Sequence, residues 1–177
     1  MIRTILSFFI VTFVCISFVR AQGPKIGYVN SAKILQEYPD AIEAQKKIDA
    51  KREEWGSALE GMSKDLQAKY DDFQKKQATL TEQAKRDQQQ QLIELEKRGQ
   101  DFQKDKFGSN GELANFTDSL LTPIKKKVMK AIESIAKSEH LQFVFDRNEQ
   151  ILVLLYGEAK SDYTNLVIDR LKRGEVK

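Results

Sequence analysis

A chain of 177 residues suits one domain with an appendage, and a composition that is 31% charged and 9% aromatic, with three prolines, leans towards helix and coiled coil rather than an all-β fold. The formal net charge of +3 includes Arg3 and Arg20, which stand in an acid-free opening stretch, so the remainder carries only +1. That near-neutral balance offers no basic stripe and leaves no case for a dedicated nucleic-acid binder.

Residues 1–21 read as a secretory signal peptide. Arg3 precedes an apolar run from Ile5 to Val19, and Val19-Arg20-Ala21 fits a small-residue cleavage site. The run is short for a membrane span, although Arg20 beside the cleavage site keeps an uncleaved anchor as the rival reading. Cys15 would leave with the signal, and the exported chain would then contain neither thiol nor disulfide.

Lys25–Asn30 predicts a short strand, with Ile26 and Tyr28 on one face and Val29 on the other. Asn30 and Ser31 are good caps for two helical turns over Ala32–Tyr38, which Pro39 ends. Asp40 and Glu43 have capping-box spacing and predict the start of a long helix. Along it Ile48, Trp55, Leu59, Met62, Leu66, Tyr70, Phe73 and Leu80 recur every three or four positions, with a few longer gaps; Leu92, Leu95 and Phe102 resume after a polar interval. So narrow a stripe is a coiled-coil seam rather than the face of a globular core. Two steps of four in a row, Met62 to Leu66 to Tyr70, form a stutter. The turn is expected near 78–84, where Thr79 and Glu82 repeat capping-box spacing and Thr81 offers a cap; an unbroken rod is the alternative, because neither glycine nor proline forces the break.

The returning helix meets Gly108-Ser109-Asn110-Gly111, which should bend or end it, and Thr122-Pro123 reads as the cap and first position of a new helix. Ile124, Val128, Ala131, Ile132 and Ile135 give that helix a broad stripe suited to packing on a sheet, with Lys125, Lys126, Lys127 and Lys130 mostly on other, solvated faces. Leu141–Asp146 and Ile151–Tyr156 predict a β-hairpin, the second strand an unbroken apolar run covered on both sides. Gly157 stops it, and Ser161 or Asp162 caps a last helix from Tyr163 to about Arg173. The strands at the two ends must meet to build one small sheet, since a lone hairpin is unstable. Burial in so meagre a core favours oligomerisation.

No chemistry-bearing constellation stands out. The single histidine, His140, sits at a helix-to-strand junction and reads as structural; no nucleophile elbow, Gly-rich phosphate loop or metal-ligand spacing is present. Carboxylates on the arm, the Asp71-Asp72 pair included, alternate with lysines as a solvated helix face does. The expectation is a binding or structural protein that is not an enzyme and uses neither cofactor nor metal.

KIGYVNSAKILQEYP, a charged helical hairpin, TPIKKKVMKAIESIA, LQFVFD and SDYTNLV, in this order behind a secretion signal, resemble the Skp/OmpH family of periplasmic chaperones across essentially the whole exported chain. The resemblance implies an α+β, mostly α fold: a long antiparallel helical hairpin, a coiled-coil arm, projecting from a small β body. It also implies a homotrimer whose arms surround a cavity, an ATP-independent holdase that keeps unfolded outer-membrane proteins from aggregating in the periplasm. On this reading residues 22–39 and 112–177 form the oligomerisation body and 40–111 the arm. Client contacts would come from Trp55, Met62, Phe73, Leu80, Phe102 and Phe107, each of which serves equally as a helix–helix seam residue. Ile26, Tyr28, Phe143, Phe145, Leu152 and Leu154 would build the body and its subunit contacts. The basic cluster that some relatives carry where the arm re-enters the body is reduced here to Lys104 and Lys106, implying at most weak contact with membrane or lipopolysaccharide. The competing expectation is a structural coiled-coil envelope protein anchored by an uncleaved N-terminus.

Overall fold

A computed structural model describes residues 23–148 and 153–175, so the predicted signal peptide and Leu152 lie outside the described residues. In chain order the elements are β1 (Ile26–Val29), α1 (Ser31–Glu37), α2 (Pro39–Lys76), α3 (Glu82–Phe107), α4 (Glu112–Ser138), β2 (Phe143–Asp146), a 3-10 turn (Ala159–Ser161) and α5 (Thr164–Lys172). α2 and α3 form a long antiparallel hairpin on a small β body. None of the described helices is long and apolar enough to cross a membrane.

The arm forms where its seam and its ion pairs agree. α2 spans 38 residues, about 57 Å at 1.5 Å per residue. On its solvent face Glu43–Lys47, Glu60–Lys64, Asp65–Lys69 and Asp72–Lys76 are i,i+4 pairs with the acid nearer the N-terminus, the favourable order with respect to the helix dipole. At the tip the Thr79 hydroxyl donates to the Lys76 carbonyl and finishes α2, while the Thr81 hydroxyl accepts from the Ala84 amide at 3.3 Å and begins α3.

The feet are held by the ends of the chain. β1 pairs in parallel with β2, Ile26 opposite Phe143 and Tyr28 opposite Phe145. On its other side Tyr28 bridges Asp162, and its carbonyl accepts from the Tyr163 amide at 2.9 Å. Among the described residues β1 is therefore central and β2 an edge. The Asp146 carboxylate reaches from β2 to the Ser31 amide at 3.0 Å and so holds the start of α1. Beneath lie Ile34, Ala131, Ile135, Val167 and Ile168, all at most 2% exposed, with Val29, Ala41, Ala44 and Val128 around them.

Three local expectations are corrected. α2 starts at Pro39, not at an Asp40 capping box: Tyr38 takes the extended conformation (φ −80°, ψ 118°) that precedes a proline and has no side-chain cap. The Asp40 carboxylate instead accepts from the Tyr38 hydroxyl at 2.6 Å and the Lys127 ammonium at 2.7 Å, pinning α2 to α4. These two hydrogen bonds, that from Lys127 foremost, hold Asp40 below its ordinary carboxylate range. The second correction concerns Pro123, which lies inside α4 instead of opening a helix. Its missing N–H costs about 3 kcal/mol, and burial of Leu120, Leu121, Ile124 and Val128 along the same helix offsets that cost. Third, Val153–Tyr156 is not a strand, and Val153, Leu155 and Tyr156 are 59%, 80% and 79% exposed. Of these four residues only Leu154 is half-buried, so most of an apolar run that needs cover on both faces stays open among the described residues.

The last helix begins at Thr164, whose amide donates to Asp162 at 2.9 Å. His140 closes α4 with φ +56°: the Leu141 amide donates to the Ala136 carbonyl and the His140 amide to the Lys137 carbonyl, a Schellman closure with histidine in the left-handed position.

Candidate functional site

The surfaces that can act on a partner are the arm itself, its root and the uncovered sheet face. On the arm, α2 presents Trp55, Leu59, Leu66 and Phe73 half-buried or buried towards α3, and Leu80 is half-buried in the turn between the two helices; α3 answers with Leu92, Leu95, Phe102 and Phe107. Phe73 is the deepest of the six candidate client residues at 9% exposure, whereas Met62 is 38% exposed and open to solvent. Met62, Phe73 and Leu80 are strung out towards the tip. Around Phe73 a cavity of about 150 Å³ opens between the helices, lined also by Lys69, Asp72, Gln88, Gln91 and Leu92. It lies where the stutter meets the glutamine tract, and polar side chains there cannot interdigitate as an apolar seam does.

Trp55, Phe102 and Phe107 are brought together at the root. The Trp55 and Phe107 rings meet edge to face with centroids 6.5 Å apart. The Lys106 ammonium lies 5.0 Å from the Trp55 ring centre and 5.9 Å from that of Phe102, and Lys51 approaches Trp55 from its own helix at 5.3 Å. Lys106 also pairs with Glu112, the first residue of α4.

Sequence reasoning missed three apolar exposures on the arm: Ile42, 38% exposed near its foot, Tyr70, counted into the seam but 46% exposed, and Ile93, 58% exposed. Ile93 follows seam residue Leu92 directly, so an apolar residue off the three–four spacing was the available signal.

On the body, Ile26, Phe143 and Phe145 are 46%, 56% and 38% exposed on one face of the sheet, and the two phenylalanine rings stack with centroids 6.5 Å apart. Tyr28, in the same series, is buried: Gly157 lies against its ring, Arg147 stands 5.7 Å over it, and its hydroxyl points at the Gly157 carbonyl. Leu154 is half-buried beside Tyr28, Lys33 and Arg147. Around the edge of β2 an apolar groove of about 340 Å³ runs over Leu35, Val128, Met129, Ile132, Val144 and Phe145. Met129 is 64% exposed there. An apolar face beside a strand edge that has no strand partner among the described residues is a surface that seeks cover.

Comparison with known proteins places the arm and body in one pattern. Residues 25–171 match the family described as outer membrane protein (OmpH-like). The chain is 24% identical over 155 residues to the chaperone protein Skp of Yersinia enterocolitica, covering 85% of this chain and 88% of that protein. Its fold is similar, with a TM-score of 0.70 at 14% identity, to the crystal structure of an OmpH-like protein of Caulobacter crescentus CB15 described as an outer membrane chaperone. That likeness covers 88% of this chain and 92% of the other.

Proposed function

The chain belongs to the OmpH-like outer membrane protein family, and from that premise we propose that it is an ATP-independent periplasmic holdase that keeps unfolded outer-membrane proteins from aggregating. The observation that carries this reading is the family match over residues 25–171, which takes in both the arm and the body rather than one of them. The physics of the arm supports it. An unfolded barrel protein exposes apolar segments and unpaired strand edges, the features that aggregate. An arm dominated by ion pairs with a few scattered apolar side chains, Met62, Tyr70 and Ile93 among them, offers many weak contacts. Several such arms around one client give a firm hold by effective concentration, and each contact stays easy to break.

Several arms require several chains. The uncovered Ile26–Phe143–Phe145 face, the edge of β2 and the exposed Val153–Tyr156 run support self-association through the body, and a trimer is the assembly we propose. Residues 22–39 and 112–177 would then be the clamp and 40–111 the working arm. Export through a cleaved segment 1–21 completes the proposal.

The test is native mass spectrometry of the exported chain with and without a urea-denatured outer-membrane barrel, alongside light scattering as the barrel is diluted from urea. A trimer that takes up one client and suppresses scattering without nucleotide supports the proposal; a chain that leaves scattering unchanged overturns it. The dense ion pairing of α2 favours one second reading, a spacer that spans a gap in the envelope. Retention of residues 1–21 by the exported protein, read by N-terminal sequencing, would separate it from the first.

A further inference from the structure

At the corner between arm and body, where Gly108 and Gly111 end one helix and precede the next, the geometry is that of a closed joint. Gly108 ends α3 with φ −61° and ψ 165°, a conformation open to any residue. Its glycine identity answers a steric need: a Cβ there would lie 2.4 Å from the Lys104 carbonyl oxygen. At Gly111 a Cβ would lie 2.8 Å from the Asp105 carbonyl oxygen, and the Gly111 amide donates to the Gly108 carbonyl at 2.8 Å. The loop is therefore packed back on the last turn of α3.

Across this corner one cation touches three helices. Lys106 stands between the rings of Trp55 from α2 and Phe102 from α3, and its ammonium pairs with Glu112 at the start of α4. Its side chain is 21% exposed, against 53–75% for the lysines of the solvent-face pairs on α2. A lysine removed from water to that extent, over two aromatic faces and against a carboxylate, is held in place rather than free to rotate.

We propose that Lys106 is a positioning residue, a latch that fixes the direction in which the arm leaves the body by joining the Trp55–Phe102 face of the arm to Glu112 of α4. The arm direction sets the width of the space between arms in an assembly. That consequence rests on the chaperone reading; the latch itself does not.

The test uses the full chain with Cys15 replaced by serine and spin labels at Ala68→Cys on the arm and Lys130→Cys on the body. Labelled chains are diluted with unlabelled ones so that only intrachain distances are read. Pulsed dipolar spectroscopy of Lys106→Met should show the population outside the main distance peak rising roughly fivefold, the effect of a coupling at the low end of the usual range. Lys106→Arg, which keeps the cation and its stacking on tryptophan, should restore the narrow distribution. Trp55, the only tryptophan, should become more accessible to iodide in Lys106→Met and not in Lys106→Arg. If Lys106→Met fails to fold, Glu112→Gln reads the same joint from the other side and should broaden the distribution in the same direction. An unchanged distribution in the folded methionine variant, or in Glu112→Gln, overturns the latch. Barrel aggregation assays on the same variants speak to the chaperone reading alone, because a latch that broadens without effect on clients leaves the joint established and the arm's role refuted.

Discussion

Replacing Gly108 and Gly99 by alanine separates two reasons for a glycine on the same helix. Gly99 lies within α3, and a Cβ added there would meet nothing within 4 Å. Alanine at such a site lowers the entropy of the unfolded chain and improves helix propensity, so Gly99→Ala should stabilise by about 0.5–1 kcal/mol. At Gly108 the added Cβ would sit 2.4 Å from a backbone oxygen, which cannot rotate away as a flexible side chain would. The loop must shift, at the usual overpacking cost of about 1–3 kcal/mol. The two variants should therefore differ by roughly 1.5–4 kcal/mol with opposite signs. Urea unfolding at fixed protein concentration measures the sum, and hydrogen exchange locates it: protection should fall over 104–115 in Gly108→Ala and rise around 95–103 in Gly99→Ala. A Gly108→Ala protein as stable as the parent, with unchanged exchange at the corner, would refute the steric account.

Thr81→Ala removes the hydroxyl that caps α3 and should cost about 1 kcal/mol, seen as faster amide exchange over Glu82–Lys85 while α4 is unaffected. Asp40 is held below its ordinary value of 3.8, so its contribution is present when the carboxylate is charged in both states and is lost as pH falls through the depressed folded value. The melting-temperature difference between parent and Asp40→Asn should be constant from neutral pH down to about pH 4 and shrink below it; a difference that grows on acidification contradicts the assignment. His140→Gly relieves a left-handed non-glycine residue and should raise stability by about 1 kcal/mol, measured by urea unfolding. A loss of stability would mean that the imidazole makes a contact stronger than the strain it carries.

The fold was legible where local signals agree with one another. The three–four spacing from Ile48 to Phe73, its return at Leu92, Leu95 and Phe102, and the Thr81 cap between them describe a helical hairpin without reference to the rest of the chain. Elements whose state depends on distant partners were not legible. Pro123 is a strong local stop, overridden because α4 buries Leu120 and Leu121 on one side of it and Ile124 and Val128 on the other. Asp40 has the spacing of a cap, but Lys127, far along the chain, takes its carboxylate. The apolar run at Val153–Tyr156 has strand composition, but among the described residues Val153, Leu155 and Tyr156 have nothing to cover them. At the candidate surfaces the same limit applied: spacing placed Trp55, Phe102 and Phe107 on the arm, whereas their meeting around Lys106 depends on how α2 and α3 align, which spacing does not determine.

The parallel pairing of β1 with β2 also orders events in time. Lys25 and Gln142, which bond at the start of that ladder, are 117 residues apart. A contact so remote is slow to form in an open chain, because loop closure must precede any gain from burial. The hairpin between them closes from its tip, where contacts are near in sequence, to the Trp55–Phe107 contact at its root, and once its helices lie side by side its two feet are neighbours. The gap that β1 and β2 must then close is reduced to α1, α4 and the loops that flank them. The arm thus acts as the splint on which the body is assembled. On this account the arm forms before the sheet, and the strands of the body find cover only after α5 has joined them. A defect at Thr81 would on this account slow closure of a body at the opposite end of the molecule.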